Sequence, residues 1–338
     1  MVPALAVAEA LQAERAEVEF IGGGRVEAQL IPAAGFPFHS INVRGLHRSH
    51  PLRALRAVLL ALLAVARART LLRRIAPDAV LGGGGYVAGP VGLAALTLRI
   101  PLVLSEADSH LGLTNRLLAP FARRVCLAFP IAGREGPRYR VTGRPVPPPQ
   151  RDRAAARARM GVEPEASCVL VFGGSLGARS INMAAVEAFA GAPFHVLHVS
   201  GQRDHAELLA GGLPRDYDLR AYLPLVDFAD ALAAADLVVA RSGGSVFEIA
   251  AHARPAVLIP YPHAAGDHQN ANARWMADAG AAVVIPDPEL TAARLGGEVA
   301  ALLSDRRRLA GMASAAAALA RPDAARDIAR ELLEAASR

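Results

Sequence analysis

Short runs of apolar residues recur along the chain, each ending in a polar or glycine-rich turn and followed by a longer stretch with helical spacing. Residues 168–172 (Cys-Val-Leu-Val-Phe), 237–240 (Leu-Val-Val-Ala) and 256–259 (Ala-Val-Leu-Ile) are apolar throughout. Uninterrupted runs of this length fit strands covered on both faces, the usual state of a parallel sheet flanked by helices. The first half predicts helix 3–15, strand 17–21, helix 51–75, strand 78–82, helix 88–98, strand 101–104, helix 112–121 and strand 124–128. The second half predicts helix 151–160, strand 168–172, helix 178–189, strand 194–199, helix 203–210, strand 219–223 and helix 227–234. Strand 237–240, helix 245–253, strand 256–259, helix 267–279, strand 282–285 and further helices complete it. Both halves therefore read as doubly wound α/β units.

Four prolines in five residues, Pro145, Pro147, Pro148 and Pro149, exclude helix and central strand between the halves. The expected domains are residues 1–143 and 151–320, joined by a linker over 144–150, with 321–338 a C-terminal helix beyond them. A chain of 338 residues fits two units of this size. The start is irregular. A doubly wound domain ordinarily opens with a central strand and a glycine-rich turn, yet Pro3 begins a helix at once. The N-terminal domain is accordingly expected to lack its first strand, and Met1 is not expected to be the true start.

Three strand-to-helix turns in the second half carry the chemistry. Phe172-Gly173-Gly174-Ser175-Leu176-Gly177-Ala178 leaves one apolar strand, Arg241-Ser242-Gly243-Gly244-Ser245 a second, and the segment from His263 to Asn272 a third. Small residues let the backbone approach an anion, and a helix start offers unpaired N–H groups with the positive end of its dipole. Such turns at the carboxyl ends of a parallel sheet suggest a nucleotide diphosphate site.

Composition sharpens this picture. All 37 basic residues are arginine, and residues 1–149 hold 18 of them against 9 carboxylates, whereas the remainder is slightly acidic. No zinc, helix-turn-helix or RNA-binding signature accompanies the basic half, so nucleic acid is not an expected partner and an anionic membrane surface is. Residues 51–75 mix leucines with Arg53, Arg56, Arg67, Arg69, Arg73 and Arg74, which suits an interfacial helix or, equally, a domain helix with a solvated face. The apolar run 58–66 falls well short of the roughly 20 residues that cross a bilayer. Cys126 and Cys168 lie in apolar strands and read as buried free thiols. Asp216-Tyr217-Asp218 reads as a solvated loop, and no metal site or cofactor is expected.

The motifs Pro3-Ala4-Leu5-Ala6, Gly82-Gly83-Gly84-Gly85-Tyr86, Gly112-Leu113-Thr114-Asn115, Val141-Thr142-Gly143-x-Pro145, residues 173–182 and residues 262–273 follow one another in the order found in a known family. Together they resemble the MurG-type N-acetylglucosaminyltransferases. The resemblance implies the GT-B fold, two Rossmann-like domains facing a cleft, with the helix 321–338 returning to the N-terminal domain. It also implies inverting transfer of GlcNAc from UDP-GlcNAc to the 4-hydroxyl of the muramoyl sugar of lipid I, giving lipid II, by a peripheral protein on the cytoplasmic face of the cell membrane. On the donor side it implies diphosphate contacts at Gly174, Ser175 and Gly177, with Arg241 offsetting their charge. Leu225 meets the base through its backbone, Glu248 the ribose, and His268, Gln269 and Asn272 the sugar. On the acceptor side it implies Tyr86, Asn115, Asn182 and Arg144. The family run His-Glu-Gln-Asn reads here Ser105-Glu106-Ala107-Asp108, making Glu106 the candidate base or acceptor-orienting group and His110 a second candidate. The family's first strand and Gly-Gly-Thr-Gly-Gly-His loop would precede Pro3. A UDP-sugar transferase with another acceptor, a UDP-GlcNAc 2-epimerase and an inactive nucleotide-sugar-binding protein are the alternatives. A dinucleotide-binding reading of residues 82–89 fails, because no Gly-x-Gly-x-x-Gly forms there.

Overall fold

The structure, a computed structural model, describes residues 2–24, 27–41, 51–174, 176–214 and 216–337. The chain divides into two compact units, residues 1–146 with 322–338, and residues 147–321.

In the first unit β1 (Phe20–Gly22) pairs in parallel with β2 (Phe38–Ser40). A separate parallel sheet holds β3 (Val80–Gly82), β4 (Leu102–Glu106), β5 (Arg124–Leu127) and β6 (Tyr139–Val141) in that order. Alternation along β4 explains how this sheet is covered. Leu102 and Leu104 point to one face, where Ala64, Ala68 and Leu72 of the helix Pro51–Ile75 and Ala94 and Ala95 of the helix Gly85–Thr97 close the core. Val103, with Cys126 of β5, points to the other face and meets Ile328, Ala329 and Leu332 of the helix Ala324–Ala336. The four-residue spacing of Ile328 and Leu332 makes one apolar stripe, which also covers Val7 of the helix Val2–Ala13. An ion pair between Arg124 Nε and Glu331 (2.8 Å) ties that last helix to β5.

Between β1 and β3 lies an apolar cavity of about 1600 Å³, lined by both strands and by Val7, Leu11, Val91 and Leu332. Among the described residues neither strand has a second neighbour, so both keep unpaired edges there.

The second unit is a single sheet of six parallel strands: β7 (Cys168–Phe172), β8 (His195–Val199), β9 (Tyr217–Arg220), β10 (Leu237–Ala240), β11 (Ala256–Leu258) and β12 (Ala282–Val284). Their order is β12-β11-β10-β7-β8-β9. Every residue of β7 and β10 is buried, as their uninterrupted apolar runs require.

The sequence pattern misses three elements. The helix Glu27–Ala33 contains Pro32, which reads as a breaker, and β2 and β6 have three residues each, too few to show a period. Asp216-Tyr217-Asp218 is not a solvated loop either. It enters β9, where Tyr217 is buried and Asp218 pairs with Arg220 (2.5 Å).

Candidate active site

In the second unit the winding reverses at β7, with β8 and β9 on one side and β10 to β12 on the other. The crevice at the carboxyl ends of β7 and β10 is the topological switch point, where open α/β sheets bind ligands. Two of the three polar turns leave these strands.

The turn after β7 is shaped by glycine. Gly174 has φ +91° and Gly177 φ +75°, a region that side chains disfavour. A Cβ on Gly177 would stand 2.0 Å from the carbonyl oxygen of Ser200, whereas nothing lies within 4 Å of one on Gly174. The turn is thus pressed against the end of β8 on one side and open on the other, and the helix Arg179–Ala188 starts behind it. Ser175 lies outside the described residues.

Beneath this turn is a buried polar network. The Asn182 amide donates to the Ser200 carbonyl (2.9 Å) and to Asp204 Oδ2 (2.9 Å). Its Oδ1 therefore faces His198 Nε2 (3.0 Å) as acceptor, which places the imidazole proton on Nε2 and leaves Nδ1 to accept from the Tyr217 hydroxyl (2.7 Å). Burial holds the His198 pKa down at about 4, so the ring is neutral. Asp204 is held below the usual carboxylate range, chiefly by Arg203 and then by Asn182. Asn182, expected to face the acceptor, has no accessible surface and positions the glycine-rich turn instead. Sequence reasoning missed His198, although its place beside Leu197 and Val199 in the strand His195–Val199 was a visible signal.

Arg241 departs from expectation in the same way. Its guanidinium is buried, donates to the carbonyls of Ile259 and Pro260 (3.2 Å each), pairs with Asp287, and reaches Ser180 Oγ (2.8 Å). Its charge is matched within the unit by Asp287. It ties the helix after β7 to the ends of β10, β11 and β12. Nearby, Ser242 Oγ donates to the Gln269 carbonyl (2.7 Å), the Asn272 amide donates to the Ser242 carbonyl (3.0 Å), and the Tyr261 N–H donates to Gln269 Oε1 (3.0 Å). These bonds join the turn after β10 to the helix His268–Asp278 and leave Gln269 Nε2 beside Gly243. Asn272 is buried, so Gln269 and His268, both half-buried, are the better exposed members of that group. Glu248 is half-buried one turn into the helix Val246–Ala251, and Leu225 stands half-exposed at the start of the helix Leu225–Ala234.

In the first unit Glu106 ends β4 with its carboxylate buried. It accepts from the Asp108 N–H (3.2 Å), the Gly112 N–H (2.8 Å) and the Asn115 amide (2.9 Å). The same amide donates to the Ser105 carbonyl (3.0 Å), and Thr114 Oγ1 donates to the Gly85 carbonyl (3.1 Å). Glu106 thus closes the loop 107–112 and fixes the start of the helix Leu113–Leu118 against the glycine-rich turn after β3. Three donors on one buried carboxylate fit an orienting group better than a base, which needs a lone pair open to the acceptor hydroxyl. His110 is exposed on that loop, Tyr86 is 71% exposed at the start of the helix Gly85–Thr97, Asn115 is buried beneath them, and Arg144 is half-buried in the linker. The two cysteines are buried free thiols, each pushed up to about 12, mainly by burial. Among the described residues no three metal-ligating side chains cluster.

Two units with parallel, Rossmann-like sheets, the second opening a glycine-rich crevice at its switch point, define the GT-B class of sugar-nucleotide-dependent enzymes. Residues 1–127 match the glycosyltransferase family 28 N-terminal domain and residues 168–328 the glycosyltransferase family 28 C-terminal domain. A relative from Moorella thermoacetica is 42% identical, covering 98% of this chain and 95% of its own length. One from Rubrobacter xylanophilus is also 42% identical, covering 97% and 98%. Both are called UDP-N-acetylglucosamine–N-acetylmuramyl-(pentapeptide) pyrophosphoryl-undecaprenol N-acetylglucosamine transferase. The crystal structure of Acinetobacter baumannii MurG is similar, with a TM-score of 0.79 and 31% identity over 98% of this chain and 95% of that one. UDP-GlcNAc 2-epimerase from Neisseria meningitidis shares the fold alone, at 13% identity and a TM-score of 0.68. The chain belongs to glycosyltransferase family 28.

Proposed function

We propose that this chain transfers GlcNAc from UDP-GlcNAc, with inversion, to the 4-hydroxyl of the N-acetylmuramyl sugar of an undecaprenyl pyrophosphoryl acceptor. One observation carries the reading: relatives about 40% identical over nearly the whole chain bear the name of that transferase. In the second unit the donor diphosphate lies against the open side of the Gly174 to Gly177 turn, where N–H groups and the helix dipole stabilise the charge that develops as UDP leaves. Glu248 accepts the ribose hydroxyls, Gln269 and His268 hold the sugar, and Leu225 meets the base through its backbone. In the first unit Tyr86 and His110 present exposed polar groups to the acceptor, and Glu106 with Asn115 keeps their two turns in register.

The same unit carries the membrane side. Leu62 and Leu63 on the helix Pro51–Ile75, Leu93 on the helix Gly85–Thr97, and Leu117 and Phe121 at the next helix are between 48% and 68% exposed. These three helices pack in sequence order, so their exposed apolar groups and arginines support docking on an anionic leaflet at the cytoplasmic face. Among the described residues no helix is long and apolar enough to cross a membrane.

Radiolabelled UDP-GlcNAc offered with lipid I, and separately with other glycolipids, tests the reaction. Label moving only into the lipid I product is the expected result. Transfer solely to another acceptor, or donor turnover without one, overturns it. Glu248→Ala is expected to weaken UDP binding by about tenfold or more in calorimetry, since hydrogen bonds to a carboxylate are worth about 1.5–3 kcal/mol each.

A further inference from the structure

At the amino ends of β7, β10 and β11, the edge of the sheet opposite the donor crevice, the second unit has a cavity of about 370 Å³. Four arginines, Arg153, Arg157, Arg254 and Arg306, line it, with Asp236 and Glu165 as the acids. The half-buried Asp236 is shared: it pairs with Arg153 (2.6 Å) and Arg157 (3.5 Å) and also accepts from the Cys168 N–H (2.9 Å). Arg254 donates from Nη1 to the Ala235 carbonyl (2.9 Å), and its Nε is buried with no partner among the described residues. Nε of Arg157, a residue only 5% exposed, is orphaned in the same way. Arg306 sits exposed in the first turn of the helix Arg306–Leu319. Glu165 is exposed as well, so the cavity keeps a surplus of guanidinium charge.

Guanidinium groups taken out of water with a single shared carboxylate between them are costly, and a further opposite charge within reach lowers that cost. Burial, followed by repulsion from Arg153, already pulls the Arg254 pKa down to about 10. Planar N–H pairs on several arginines match phosphate oxygens. We propose that this cavity is a binding site for a small phosphorylated anion, separate from the donor site and held mainly by Arg254 and Arg306.

The test is calorimetric titration of inorganic pyrophosphate into the full chain with the donor site saturated by UDP. One equivalent is expected to bind, with affinity about tenfold or more weaker in both Arg254→Gln and Arg306→Gln. Pyrophosphate should raise the melting midpoint of the parent chain and not that of either variant. Without ligand, Arg254→Gln should melt no lower than the parent, because it removes a half-buried charge that burial and Arg153 disfavour and that makes no direct ion pair among the described residues. No heat of binding beyond UDP, or an affinity in both variants equal to that of the parent chain, overturns the proposal. A low-melting Arg254→Gln would mark that arginine as structural, and the exposed Arg306→Gln then decides the point by itself.

Discussion

His198 makes the fold of the second unit sensitive to acid, in an amount that follows from its surroundings. The ring is fully buried and bonded to Asn182 and Tyr217, and among the described residues no carboxylate is in contact to favour a second proton. Its pKa falls from 6.5 to about 4 on folding, so between these values the unfolded chain binds more protons than the native one. Stability is then present above pH 6.5 and is lost as pH falls toward 4. Linkage gives a loss of about 2 kcal/mol by pH 5 and roughly 3 kcal/mol below pH 4. Burial lowers His195 and His252 as well, adding loss of the same sign, so the comparison has to be with a variant. Trp275, the single tryptophan, packs on Phe247 at 5.0 Å within this unit, and its fluorescence in urea reports the unit alone. The parent is expected to lose about 2 kcal/mol more than His198→Gln between pH 7 and pH 5. Parallel losses, within about 0.5 kcal/mol, would refute a neutral buried His198.

Gly177→Ala places a Cβ against the Ser200 carbonyl at positive φ, so a loss of about 2–3 kcal/mol in urea titrations and a higher KM for UDP-GlcNAc are expected; an unchanged KM removes the glycine-rich turn from the donor site. Glu106→Gln turns one acceptor into a donor facing N–H groups and should lower kcat while leaving the acid limb of the pH–rate profile in place; disappearance of that limb would make Glu106 the base. The cavity between β1 and β3, apolar and flanked by unpaired edges, should bind anilinonaphthalene sulfonate at pH 7 and promote self-association at high concentration; absence of both means that it is closed in solution.

Much of the framework of the second unit was legible in the sequence, because its signals are local. Runs of buried β residues, glycines at positive φ and polar helix starts act within a few neighbours, and they placed the strand-to-helix turns of the second sheet to within about three residues. The motif order likewise carried the family. What each polar side chain does was decided only by the tertiary structure. Arg241 and Asn182 occupy motif positions, yet one is matched by Asp287 and the other spans Ser200, Asp204 and His198, partners far along the chain. The resemblance implied that the last helix returns to the first unit, but its seat against Val103 and Cys126 is equally non-local, as is the gathering of Arg153, Arg157, Arg254 and Arg306 into one cavity. Strand and helix periods specify which face a side chain takes; only the packing of distant elements specifies what waits there, and burial turns that meeting into a support, an ion pair or a binding site.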